Sequence, residues 1–225
     1  MNAVSQRLMQ RASRRVAWHW LETNVAGRPV RIATASDPDG MLLDACRRQD
    51  AGELGVIDPF WATTWRAADG LDQFLEARDL NGVRVLELGC GTGRAGLGAA
   101  LRGARVTLTD GVSDPLLLVK LTTSQVRDQC EVRRLRFAED KLAQPPFPII
   151  LGSDITYSRD LWPKLDVCLR HHLADQGEVL LSDPYRSIST EFAGWIVRRT
   201  WRYEEHKMLL PDDATRPIRV MRLTR

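Results

Sequence analysis

The chain has 225 residues, 44% of them apolar and 27% charged, with a formal net charge of +3. That is the balance of an ordinary globular protein of one domain with some decoration. No window nears the ~18 uninterrupted apolar residues of a membrane span, and no apolar h-region of a secretory signal stands near the start.

The predicted elements fall into two stretches. Residues 1–57 read as an N-terminal extension on the lid or substrate side. It holds a helix from Val4 to Glu22, the Ala26-Gly27 break, a short strand Val30–Thr34 and an Asp37-Pro38-Asp39-Gly40 turn. A helix Met41–Arg48 and a loop at Gly52 and Gly55 complete it. Arg7, Arg11, Arg14 and Arg15 precede the first acid, Glu22. This fits a basic surface helix, with a mitochondrial transit peptide as the alternative. Free thiols in a chain this size fit a reducing compartment, so the expected location is cytoplasmic, and mitochondrial under that alternative.

Residues 58–225 read as the main domain. Trp61, Trp65, Ala68, Leu71, Phe74 and Leu75 have helical spacing. After Asn81-Gly82, strands are expected at Val83–Leu88, Val106–Thr109, Val132–Phe137, Ile149–Ser153 and Glu178–Ser182. Helices are expected at Ala95–Leu101, Asp114–Asp128, Leu161–Leu173 and Thr190–Arg199. This alternation predicts a mostly parallel sheet. Two last strands, Trp201–Met208 and Ile218–Leu223, have no helix between them and predict an antiparallel edge hairpin. The basic doublets Arg14-Arg15, Arg133-Arg134 and Arg198-Arg199 are scattered, so no nucleic-acid partner is indicated. Cys46, Cys90, Cys130 and Cys168 show no C-x-x-C spacing, and the histidines add no ligand pattern, so no metal is expected.

The chemistry concentrates where a strand should meet a helix, at Glu87-Leu88-Gly89-Cys90-Gly91-Thr92-Gly93-Arg94. Glycine there lets the backbone turn tightly and approach a ligand, and the helix start offers free N–H groups. Asp110 ends the next strand, where a carboxylate can accept hydrogen bonds from both ribose hydroxyls of a nucleoside. Gly91 to Gly96 also satisfies G-x-G-x-x-G, a dinucleotide fingerprint that is weak alone. The E-x-G-x-G-x-G form with Glu87 instead resembles motif I of class I S-adenosylmethionine (SAM)-dependent methyltransferases. A loop binding SAM needs no pyrophosphate cradle, and the closing hairpin fits that sheet better than a dehydrogenase domain.

Further motifs narrow the resemblance. Ser153-Asp154-Ile155-Thr156-Tyr157 resembles the D-x-x-Y signature of the family-16 group, which contains many protein lysine methyltransferases. Trp65-Arg66-Ala67-Ala68 resembles its W-x-A-A segment. Asp58-Pro59-Phe60-Trp61 and Ser182-Asp183-Pro184-Tyr185-Arg186 look like those of electron-transfer flavoprotein beta subunit lysine methyltransferases and their bacterial relatives. The resemblance spans about residues 56–190. It implies an α/β, Rossmann-like fold: a seven-stranded, mostly parallel sheet with an antiparallel C-terminal hairpin and helices on both faces. It departs from the family at Leu121-Thr122-Thr123-Ser124, where an Asn is common, and at Phe137-Ala138-Glu139-Asp140, which lacks the usual Asp-Trp pair.

The implied cofactor is SAM and the implied reaction is methylation of an amine. The leading substrate is a protein lysine, and the alternatives are a small-molecule amine or a non-catalytic SAM-binding regulator. A monomer is expected. The cofactor set is Trp65, Glu87, Gly89, Cys90, Gly91, Thr92, Gly93, Asp110, Glu139 and Ser153. Glu87 is assigned to the amino-acid end, Asp110 to the ribose, and Glu139 or Ala138 to the adenine. Asp154 is expected to orient the amine and Tyr157 to hydrogen-bond or wall it. The alternatives are a helix cap for Asp154 and core packing for Tyr157 and Trp65. An open groove beside Tyr157 would point to a protein substrate, a closed pocket to a small molecule.

Overall fold

The computed structural model describes residues 3–225; residues 1 and 2 of the expected extension lie outside them. A seven-stranded sheet forms the centre: β3 (Arg84–Glu87), β4 (Arg105–Asp110), β5 (Cys130–Arg134), β6 (Phe147–Ser153), β7 (Leu173–Asp183), β8 (Arg202–Met208) and β9 (Ile218–Thr224), in the order β5-β4-β3-β6-β7-β9-β8. The β3–β4, β4–β5, β3–β6 and β6–β7 pairs are parallel. β9 runs antiparallel to both β7 and β8.

Alternation along the strands gives the sheet two buried faces. Val85, Leu108, Leu151 and Leu180 pack with α3 (Ala67–Phe74) and α4 (Arg94–Leu101). Leu86, Ile150, Val179 and Leu181 pack on the other face with α6 (Trp162–His172) and α7 (Ser187–Val197). The chain leaves β3 towards β4 on one side and returns to β6 on the other. The carboxyl ends of β3 and β6 therefore open a crevice, the usual ligand place in an open α/β sheet.

The N-terminal region differs from expectation. In place of one helix from Val4 to Glu22, α1 spans Ala3–Ser13 and β1 spans Trp18–Val25. Trp18 and Trp20 alternate with exposed positions and pack on one side with Ala12, Leu118 and Leu121. That period of two overrides the helical reading. β1 pairs with β2 (Arg28–Ala35) from Trp18↔Ala35 to Val25↔Arg28. The loop between them is Ala26-Gly27, with φ of 52° and 68°, the two left-handed residues of a tight hairpin turn. The hairpin lies on α4 and on α5 (Ser113–Thr122), not on the sheet: Ile32 packs with Leu97, and the Ala33 amide donates to Thr122 Oγ1 at 3.0 Å.

Other boundaries shift for local reasons. Asp37–Gly40 is not a free turn. Asp37 caps α2 (Pro38–Asp50) by accepting from the Gly40 amide at 2.9 Å, with Pro38 in the first turn. The expected continuous helix from Trp61 to Leu75 breaks at an extended Thr63, leaving a 3₁₀ turn at Phe60–Ala62 before α3. α5 stops at Thr122 and continues as an irregular 3₁₀ stretch, because Thr123 and Ser124 hydroxyls bond back to the Val119 and Leu121 carbonyls. β5 ends at Arg134, so Leu135–Phe137 leave the sheet and reach the crevice rim. No described helix is long and apolar enough to cross a membrane.

Candidate active site

A cavity of about 350 Å³ opens at the carboxyl ends of β3, β4 and β6, within the size range of small-molecule and cofactor sites. One end is the loop after β3. Gly89, Gly91 and Gly93 have φ of 58°, 50° and 77°, a left-handed conformation that side chains resist. A Cβ at Gly89 would also lie 2.8 Å from Ile155 Cγ2. Backbone bonds fix the loop: the Cys90 amide donates to the Thr109 carbonyl at 2.8 Å and the Gly93 amide to the Cys90 carbonyl at 2.7 Å.

Asp110 closes this end. Its carboxylate accepts from the Gly91 amide at 3.1 Å and the Val112 amide at 2.9 Å. Burial pushes its pKa up, against those amides. Glu87 lies off the cavity wall. It is 1% exposed, and its Oε2 accepts from the Gly96 amide at 3.0 Å beneath the loop. Burial raises its pKa to about 8, opposed by the Gly96 bond and reinforced by Asp110. Glu87 therefore supports the loop and α4 from behind.

The other end is built from three separated segments. After β6 the chain turns at Asp154, whose φ is 52° and whose amide donates to the Ser182 carbonyl at 2.7 Å. Its carboxylate does not cap the next helix; it accepts two bonds from Arg186, at 3.0 and 2.6 Å. The Arg186 guanidinium also lies 5.6 Å from the Trp65 ring centroid. The Trp65 indole donates to the Phe60 carbonyl at 2.7 Å. Phe60 meets Trp65 and Tyr157 edge-on, with ring centroids 6.3 and 5.5 Å apart. Trp65 and Tyr157 are 37% and 42% exposed, so this end opens outward.

Of the residues predicted for the site, Trp65, Gly89, Cys90, Gly91, Thr92, Asp110, Glu139, Ser153, Asp154 and Tyr157 line the cavity. Glu87 and Gly93 do not, and neither does Ala138, the alternative to Glu139. Glu139 sits on the rim and pairs with Arg136 at 2.9 Å. Phe60 and Arg186 carry no expected role from the sequence, although they lie inside the Asp58–Trp61 and Ser182–Arg186 motifs. Phe137 was expected within a strand, and Lys164 gave no signal, since only the packing of α6 brings it to the cavity.

Comparison with known proteins places this geometry. A family model described as lysine methyltransferase matches residues 49–193. Protein N-lysine methyltransferase METTL21A from Danio rerio is 39% identical over 146 residues, which cover 60% of this chain and 63% of that protein. The METTL21A proteins of Mus musculus and Xenopus tropicalis are likewise matched over 64% and 66% of their lengths, so the chain spans just under two thirds of these relatives. EEF1A lysine methyltransferase 3 from Mus musculus is 31% identical over 73% of this chain and 74% of its own. Electron transfer flavoprotein beta subunit lysine methyltransferase from Xenopus laevis is 31% identical over 58% of this chain and 54% of its own. Among solved structures, the glycopeptide N-methyltransferase MtfA complexed with S-adenosyl-L-homocysteine shares the fold, with a TM-score of 0.61 at 14% identity over 70% of this chain and 86% of that one. The matched residues 49–193 contain the glycine loop, Asp110 and the Asp154–Tyr157 turn, and the chain belongs to the lysine methyltransferase family.

Proposed function

We propose that this protein transfers a methyl group from SAM to the side-chain amine of a lysine in a protein substrate. One observation carries the reading: a single cavity joins a glycine loop closed by Asp110 to an open aromatic rim that holds Asp154. The residues present fit the cofactor. The loop has no side chain at Gly89 or Gly91 to fill it, and a buried carboxylate stands where ribose hydroxyls can donate. When bound, SAM supplies a sulfonium methyl carbon to a nucleophile's lone pair.

Gly89, Cys90, Gly91 and Thr92 wrap the cofactor, and Gly93 sets the loop's exit. Asp110 takes the ribose, with Ser153, Trp65 and Glu139 on the surrounding wall. Glu87 acts through the loop it supports. Asp154 and Tyr157 place the acceptor nitrogen, and Phe60 and Trp65 wall its alkyl chain. Positioning of this kind is the largest expected contribution to a displacement between two held groups. The exposed Trp65 and Tyr157 rim suits a lysine on a protein surface better than an enclosed small amine.

Incubation of the purified protein with tritiated SAM and lysate proteins tests the reading. The expected result is labelled methyllysine in the protein hydrolysate. Label confined to small molecules would favour the small-amine alternative. No label, with no rise in melting temperature on adding SAM, would sink the proposal.

A further inference from the structure

A lysine at neutral pH is an ammonium, with no lone pair to attack a methyl carbon. A lone carboxylate beside it would stabilise that charged form and hold the proton on. The acceptor end of the cavity contains such a carboxylate, yet Arg186 takes both oxygens of Asp154, at 3.0 and 2.6 Å. Asp154 is 8% exposed, so the pair is shielded on the carboxylate side. The guanidinium is held from a second direction by the Trp65 face, 5.6 Å away. Arg186 thus occupies two features at this end that would attract a cation, the Asp154 carboxylate and the Trp65 face.

We infer that Arg186 is a positioning residue that balances the charge of Asp154, so that the substrate lysine enters beside the pair as the free amine and not as a bound ammonium. This rests on the functional reading above. The proton leaves to water before transfer, and the nitrogen keeps the lone pair it needs. Asp154 then sets geometry as half of a neutral pair.

Most of the other charges near this space have partners of their own. Arg136, beyond β5, is tied to Glu139 and Asp140. Arg94 on α4 is tied to Asp69 of α3. Asp183 at the end of β7 faces Arg186 but is bonded to Arg219 at 3.0 Å through each oxygen. Arg134 donates to the Gly111 carbonyl at 3.0 Å. Asp110 is committed to backbone amides at the far end. Asp58 ahead of α3 and Lys164 on α6 also line the cavity, with opposite signs. Asp183 also feels the loss of Arg186, so the comparison of Arg186→Gln with the double variant lacking the Asp154 carboxylate isolates the Asp154–Arg186 pair.

The test is the pH dependence of initial methyllysine formation on lysate proteins, with tritiated SAM, for wild type, Arg186→Gln, Arg186→Lys and Asp154→Asn/Arg186→Gln. Calorimetric SAM binding serves as the check that each variant is folded. In Arg186→Gln the rising limb moves to higher pH by about one unit, and turnover recovers at alkaline pH. Arg186→Lys keeps the wild-type limb. In the double variant the limb returns towards wild type at lower rate, because the uncompensated carboxylate is gone. A wild-type limb in Arg186→Gln with SAM binding intact overturns the inference. So does a shift of equal size in Arg186→Lys, or an Arg186→Gln variant that binds SAM but is inactive at every pH. No methyllysine from wild type at any pH overturns the functional reading, and this inference with it.

Discussion

The two ends of the cavity are held in different ways. At the glycine-loop end, backbone groups do the holding: amides of Cys90, Gly91, Gly93 and Val112 find carbonyls or the Asp110 carboxylate within 3.1 Å. At the acceptor end, side chains hold one another across long sequence distances: Phe60 on Tyr157, and Arg186 on Asp154 from 32 residues away, with the Trp65 indole bonded to the nearby Phe60 carbonyl. Bonds within one β-α-β unit depend little on what the rest of the chain does. Side-chain clusters depend on every segment that supplies a member. The first end suits a ligand that never changes, and the second can be retuned one residue at a time.

The contrast predicts separable losses. Asp154→Ala removes the carboxylate and strands Arg186, so methyl transfer falls by about 100-fold or more, while SAM affinity in calorimetry stays near wild type. Equal loss of SAM binding would mean the two ends are not separable. Asp110→Ala does the reverse. It removes the acceptor of the Gly91 and Val112 amides and, on the proposed reading, of the ribose hydroxyls, weakening SAM binding by roughly 10- to 100-fold. Gly89→Ala strains a φ of 58° and puts a Cβ 2.8 Å from Ile155. It costs about 1–2 kcal/mol of stability, visible in denaturant unfolding, and lowers SAM affinity with it. An unchanged unfolding midpoint would show that the loop relaxes.

The same contrast explains what the sequence could tell. Glu87, the three glycines and Asp110 stand at fixed spacing on one β-α-β unit, so their relation is local and legible. The alternating core of β3, β6 and β7 is legible for the same reason, since period and burial coincide. The Asp154–Arg186 pair was not legible, although both residues lie in recognised motifs. Nothing in either motif states that β6 and β7 are neighbours whose end loops face each other. The N-terminal hairpin is lost in a helix run on from Val4 to Glu22, although Trp18 and Trp20, two residues apart, share a face only in a strand. Their packing against Ala12, Leu118 and Leu121 decides. Glu87 stands at its expected place on the strand, and spacing alone does not reveal that its carboxylate turns under α4 to the Gly96 amide.

A smaller effect probes the acceptor end without dismantling it. Tyr157→Phe keeps the edge-on contact with Phe60 and deletes only the hydroxyl. Steady-state kinetics on a labelled acceptor protein should show turnover down by about 2- to 10-fold, the worth of one hydrogen bond, with SAM binding unchanged. If turnover does not move, Tyr157 acts as a wall alone.

The smallest effect on transfer at a fixed pH belongs to Glu87, and it reads the glycine-loop end through stability. Burial raises its carboxyl from 4.5 to about 8, so between those values the folded protein holds a proton that the unfolded chain has released. Its contribution is fully present below 4.5 and is lost as pH rises towards about 8. Burial lowers the pKa of His172 from 6.5, which gives the opposite sign: that contribution is present above 6.5 and lost as pH falls below it. The informative quantity is therefore the difference between wild type and Glu87→Gln, whose amide keeps an acceptor for Gly96 but cannot ionise. Across that range, the melting temperature of Glu87→Gln should gain on wild type as pH rises, levelling off above about 8. Parallel curves would mean that Glu87 is ionised beneath the loop throughout. The glycine-loop end would then rest on a charge its buried surroundings somehow tolerate, not on a proton they retain.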